Sequence, residues 1–178
     1  MSIIKLGDKE FGPYIAKEEI AKRVEGLAKR LEQDYGNACP LFLGVLNGSF
    51  MFASDLLKAC DFDLEISFIK VASYQGTESS GTVSELIGLK DDLNGRDVLV
   101  IEDIVDTGNT IEKIDAILAS SGAKSVAYVS LLYKPEAYKK DIPIEYRAFE
   151  IENEFVVGYG LDYNGLGRNI DSIYKIKL

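Results

Sequence analysis

Residues 97–111, DVLVIEDIVDTGNTI, constrain the fold more than any other stretch of the chain. Val98, Leu99, Val100 and Ile101 form an unbroken aliphatic run, the pattern of a short strand buried on both faces of a parallel sheet. Glu102 and Asp103 end that run, Asp106 follows, and Thr107, Gly108, Asn109 and Thr110 lead into IEKIDAILAS, whose apolar residues recur at helical spacing. The reading is strand, tight polar loop, helix over 111–120. In an open α/β sheet such a loop lies beyond the C-terminal end of its strand, where ligands bind, and the free N–H groups of the first helical turn face any anion held there. Gly108 lets the backbone approach closely and Thr107 and Thr110 add hydroxyls, so one end of the loop suits a phosphate. Glu102 and Asp103 suit sugar hydroxyls or Mg²⁺. A plain helix cap by Asn109 or Thr110 would account for only one or two of these polar residues. The glycine spacing of a dinucleotide loop, the Lys-Ser/Thr pair of a P-loop and the ligand ladder of an EF-hand are all missing.

The same alternation of strand and helix runs through the chain. Ile20, Val24, Leu27, Ala28 and Leu31 recur at helical spacing over 17–35, and Gly36-Asn37 ends that helix. LFLGVL after Pro40 is a second buried strand, followed by a loop at Asn47-Gly48-Ser49 and a helix over FMFASDLLKAC. Leu64, Ile66, Phe68 and Lys70 share one face of a further strand, with Glu65, Ser67 and Ile69 on the other. SVAYVSLLY, from Ser125, is another buried strand; it ends at Lys134-Pro135, after Gly122 has closed the preceding helix. The first residues are expected to be an edge strand with a turn at Gly12-Pro13. SIYKIKL closes the chain as a final strand. Between these elements ASYQGTESSGTVSE, residues 72–85, is small, polar and too poor in apolar residues to pack on its own account. It reads as a lid of the kind that shields a reactive intermediate from water.

At 178 residues, 47% of them hydrophobic, the chain fits a single domain with a sizeable core, spanning 1–178 with no repeat or second domain. The net charge of −9 argues against a nucleic-acid binder, so phosphates would have to be held locally by backbone amides, a few cations and metal. The absence of histidine removes Ser-His and Cys-His hydrolases and His-ligated metal sites. Acid–base work therefore falls to carboxylates, Lys or Tyr. Cys39 and Cys60 match no zinc or CxxC spacing and read as small core residues. No apolar leader or membrane-length run is present, and a cytoplasmic location with no membrane partner is expected.

The 97–111 stretch resembles the 5-phosphoribosyl-1-pyrophosphate (PRPP) motif of type I phosphoribosyltransferases: hydrophobic residues, two acids, two hydrophobics, then Asp-Thr-Gly-x-Thr. EFVVGYGLDYNGLGRN, from Glu154 onward, is similar to the C-terminal motif of hypoxanthine-guanine phosphoribosyltransferases. The resemblance implies an α/β fold with a mostly parallel sheet flanked by helices, a hood from about 1–15 and 152–178, and a lid. It implies purine salvage with Mg²⁺: transfer of a phosphoribosyl group from PRPP to hypoxanthine or guanine, giving IMP or GMP. A xanthine-preferring enzyme is the alternative within the family, and a nucleotide- or PRPP-sensing regulator on the same fold the alternative outside catalysis. By the same resemblance Glu102, Asp103, Asp106, Thr107, Gly108, Asn109 and Thr110 bind PRPP, and Asp106 handles the purine N7 proton. Ser73 and Tyr74 are the lid's catalytic pair. Lys134 reads the 6-oxo group, Phe155 stacks on the purine, Val156 lends backbone groups, and Asp162 serves base and metal together with Glu102 and Asp103. Pyrophosphate falls to Asn47, Gly48 and Arg168. The family commonly has Leu-Lys-Gly where this chain has Leu46-Asn47-Gly48, so the loop has lost a charge and kept a hydrogen-bond donor. Homodimers or homotetramers are the family's habit.

Overall fold

The structure is a computed structural model that describes residues 1–71 and 91–177, with the backbone of 85–87. The expected lid, with Ser73 and Tyr74, lies outside the described residues. In chain order the elements are β1 (Ile4–Leu6), β2 (Lys9–Ile15), α1 (Lys17–Tyr35), β3 (Leu41–Val45), α2 (Phe50–Ala59), β4 (Glu65–Val71) and β5 (Glu85–Ile87), followed by β6 (Asp97–Val105), α3 (Asn109–Leu118), β7 (Ser125–Tyr133), β8 (Tyr146–Glu150), β9 (Val156–Val157) and β10 (Ile173–Ile176).

The larger sheet has the order β5-β4-β3-β6-β7-β8. Its five strands from β4 to β8 are parallel, and β5 pairs antiparallel at the edge. β6 sits in the middle because its aliphatic run can be buried on both sides. Leu99 and Ile101 pack with α1 and α2 on one face, while Val98 and Val100 pack with α3 on the other. All four side chains are fully buried. α1 buries the stripe Ile20, Val24, Leu27, Ala28 and Leu31 expected from its spacing. The architecture is thus a central parallel sheet with helices on both faces, which puts the C-terminal ends of β3, β6 and β7 side by side.

The two ends of the chain meet in a second, antiparallel sheet of order β1-β2-β10-β9. Phe11, Val157 and Tyr174 form its own small core.

Several local expectations are corrected. The first turn falls at Gly7-Asp8, since Leu6 pairs with Lys9, and Gly12-Pro13 lie inside β2. β10 shifts register between Ile173 and Tyr174, opposite Pro13, which accommodates a residue that cannot donate to the ladder. β6 does not stop at the acids: it runs on to Val105, because Ile104 and Val105 still pair with Leu132 and Tyr133. α3 starts at Asn109 and ends at Leu118, so Gly122 lies in the turn beyond its cap. Cys39 is exposed and not in the core, and Cys60 is half-buried. On β4 the apolar face, Ile66 and Phe68, is the exposed one, and Ile69 on the opposite face is buried.

Candidate active site

Because β6 continues past Ile101, Glu102 and Asp103 belong to the last turns of a buried strand, and the alternation of strand side chains sends them to opposite faces. Burial, and then the charge of Asp103, pushes the Glu102 carboxyl well above its ordinary range. Burial also pushes Asp103 up to about 6, against the pull of hydrogen bonds such as that donated by Ile104 N (2.9 Å). A carboxylate that burial disfavours is relieved by a nearby cation. Mg²⁺ takes oxygen ligands, typically one or two carboxylates with substrate phosphates, so the pair fits that metal. Among the described residues no group of three or more metal-type ligands forms a cage.

Glu102 to Ile111 line a pocket of about 290 Å³. Its far side is the start of α3, where the cap position is Gly108 in the left-handed conformation (φ +84°) with no side-chain cap. Neither Asn109 nor Thr110 caps the helix, as a plain capping role would require; both lie within it. Its first N–H groups are left for an anion. Gly108 is demanded twice, by its φ and by Tyr138, whose ring would lie 2.5 Å from any added Cβ. We expect Gly108→Ala to weaken binding of phosphorylated ligands by about tenfold or more. Titration of a nucleoside monophosphate checks this, and unchanged affinity would show that the close approach is unimportant.

Lys134 follows β7 directly and is buried; its Nζ donates to Asp106 Oδ2 at 2.7 Å and reaches Asn153 Oδ1 at 3.5 Å. The structure therefore brings together a lysine and an aspartate that the sequence separates. Asn153 was not expected there; it is a neighbour of Phe155, and no local pattern marks it. Phe155 is 46% exposed, with the rings of Phe11 and Tyr163 about it at 6.3 and 6.0 Å. Such an exposed aromatic can take a planar ligand. Val156 is buried in β9, paired with Lys175 of β10.

The 46–49 loop closes the site at the end of β3. Its Leu46–Asn47 peptide is cis. A Cβ at Gly48 would overlap the Asp103 carboxylate, and one at Gly160 would overlap the Gly48 carbonyl. Three segments distant in sequence thus touch. Arg168 donates to Gly160 O (2.6 Å) and pairs with Asp162 at 2.6 Å, and Gly165 N also donates to Asp162 Oδ2. Arg168 and Asp162 are turned on each other in this structure, close enough to Asp103 to bias its charge. Asn47, Gly48, Asp103, Asp162 and Arg168 form one cluster, and Asp106 with Lys134 a second beside the uncapped helix.

A family model described as Phosphoribosyl transferase domain matches residues 14–164. The chain is 42% identical over 164 residues to a hypoxanthine-guanine phosphoribosyltransferase of Bacillus subtilis, covering 92% of this chain and 91% of that one. It is 41% identical over 164 residues to the enzyme of the same name from Lactococcus lactis, with 92% and 89% covered. A crystal structure of a hypoxanthine phosphoribosyltransferase from Staphylococcus aureus superposes with a TM-score of 0.87 at 42% identity, over 93% of this chain and 90% of that one. With the sheet, the acid pair and the uncapped helix in place, these matches decide the family: the chain belongs to the hypoxanthine-guanine phosphoribosyltransferases within the phosphoribosyl transferase family.

Proposed function

We propose that this phosphoribosyltransferase transfers the phosphoribosyl group of PRPP to N9 of hypoxanthine, and of guanine, with Mg²⁺ as cofactor, releasing pyrophosphate and IMP or GMP. The observation that carries this reading is the arrangement at the end of β6: a buried Glu102 beside a half-buried Asp103, then Asp106 bonded to Lys134, then a helix start with no side-chain cap. The 5′-phosphate is held by the N–H groups and hydroxyls of Thr107 to Thr110, and Glu102 and Asp103 hold the ribose diol.

As the C1–pyrophosphate bond breaks and the C1–N9 bond forms, positive charge grows on the ribose ring and the acid pair stabilises it. Glu102 and Asp103, with Asp162 once Arg168 turns to pyrophosphate, would hold Mg²⁺, which when bound would supply positive charge to the leaving pyrophosphate. Asp106 accepts the purine proton. Lys134 donates to the 6-oxo group, Phe155 stacks, and Val156 and Asp162 meet the far edge. An ammonium can only donate, so Lys134 favours a 6-oxo purine over a 6-amino one. A single domain spanning 1–178 carries all of this, with the chain-end sheet as its hood. Among the described residues no helix is long and apolar enough to cross a membrane, and the two free cysteines suit the cytoplasm. Phe50, Ile66 and Phe68 are 42%, 39% and 38% exposed, with Phe68 against Gly44, and such apolar surface suits contact with a second copy in a dimer or tetramer.

The test is product analysis with PRPP, Mg²⁺ and each of hypoxanthine, guanine, xanthine and adenine. IMP and GMP are expected, and AMP is not. XMP in excess would move the assignment to xanthine. No product from any base, with PRPP still bound, would make the protein a sensor.

A further inference from the structure

The 46–49 loop lacks the lysine of the pyrophosphate-loop motif that its sequence resembles, yet an ammonium reaches it from elsewhere. Lys70 on β4 lies next to Ile69, whose carbonyl accepts from Leu46 N at 2.9 Å. That bond fixes the start of the loop against β4. The Lys70 Nζ then donates to Asn47 Oδ1 at 3.2 Å.

Among the described residues three cations around the site are held by carboxylates: Lys134 by Asp106, Arg168 by Asp162, Lys140 by Glu112. The described partner of Lys70 is a neutral amide oxygen, so its charge is not cancelled at that contact. The loop itself presents donors. Leu46, Ser49 and Phe50 N–H groups bond to backbone carbonyls, whereas among the described residues those of Asn47 and Gly48 have no acceptor. On the inner side the Asp103 carboxylate abuts Gly48, so an anion entering here meets negative charge unless a cation is supplied.

We propose that Lys70 takes over the pyrophosphate-binding charge that Asn47 lacks, its ammonium acting with the Asn47 and Gly48 N–H groups on the leaving pyrophosphate. This rests on the phosphoribosyl-transfer reading above. Asn47 serves as the hinge of the device: its amide oxygen holds the lysine in place, and its amide N–H₂ remains a donor.

The experiment is calorimetric titration of inorganic pyrophosphate with Mg²⁺, and separately of IMP, into the wild-type protein and its variants. IMP fills the site without pyrophosphate and so reports folding and the rest of the pocket. Lys70→Gln, which keeps a donor and removes the charge, is expected to weaken pyrophosphate about tenfold or more while IMP stays within about twofold. Lys70→Arg should bind both like the wild type, and adding Asn47→Lys to Lys70→Gln should recover most of the lost pyrophosphate affinity. Unchanged pyrophosphate binding in Lys70→Gln would overturn the assignment, as would a parallel loss of IMP, the mark of a merely structural residue. A wild-type protein that binds neither ligand would remove the parent reading, and this one with it.

Discussion

Asp106→Asn lowers the turnover number of phosphoribosyl transfer by a factor on the order of 10²–10⁴, the usual contribution of a positioned general base, while PRPP binds within a few-fold of the wild type. The separation of the two effects follows from the geometry. Asp106 Oδ2 accepts from Lys134 Nζ at 2.7 Å, and 43% of the Asp106 side chain is exposed. Asparagine has the same shape, and its carbonyl oxygen can accept the same hydrogen bond, so Lys134 keeps its place. In the proposed reading the phosphate is held by backbone at Gly108 and the start of α3, which does not depend on that carboxylate. What is lost is the capacity to take a proton. Steady-state kinetics with hypoxanthine, together with a binding titration of PRPP, separate the terms. An unchanged turnover number would sink the base assignment, and a loss of PRPP affinity matching the loss of rate would make Asp106 a positioning residue.

Much of this site was legible because its chemistry is local. The run from Val98 to Thr110 announces a buried strand, an acid pair and a helix start within a few residues, and the structure keeps that order while extending the strand to Val105. Four of the five parallel strands and both flanking helices before β6 follow from the apolar pattern, whereas β8 carries no signal that sets it in the sheet. What sequence could not reveal is contact between distant segments. Nothing local ties Lys70 to Asn47, Gly160 to Gly48 or Asn153 to Lys134, because each pairing depends on how parallel strands align and where loops return. The turn at Gly12-Pro13 was misplaced for a related reason: proline and glycine punctuate a chain only when no partner strand overrides them, and the register shift in β10 does so. Cys39 was misread because small apolar residues are buried on average, whereas this one sits in the loop after α1 with φ of 45°.

Asp103→Asn should make the protein more stable and less active at once. In the wild type, desolvation pushes the half-buried Asp103 carboxyl from 3.8 to about 6 beside the buried Glu102. The folded state therefore holds its proton over a range in which the unfolded chain has already lost it. From about pH 4 to about 6 each rise in pH favours the unfolded chain, and above that range the penalty is constant. Asparagine has no proton to lose, can still accept from Ile104 N–H, and removes a like charge from Glu102. In buffer containing EDTA, the variant should gain roughly 1–3 kcal/mol at neutral pH, about 2–10 °C in melting temperature. The gap between variant and wild type should open between pH 4 and 6 and then hold level. Activity moves the other way. A neutral amide cannot balance Mg²⁺ or the charge that grows on the ribose, so transfer should fall by about 10²-fold or more at neutral pH. Added Mg²⁺ with PRPP should raise the wild-type melting temperature more than the variant's, since ligands that bind only the folded state stabilise it. A variant that melts lower than the wild type at neutral pH would mean that Asp103 is held by compensating contacts and not strained by burial. A variant with full activity would take the acid pair out of the reaction.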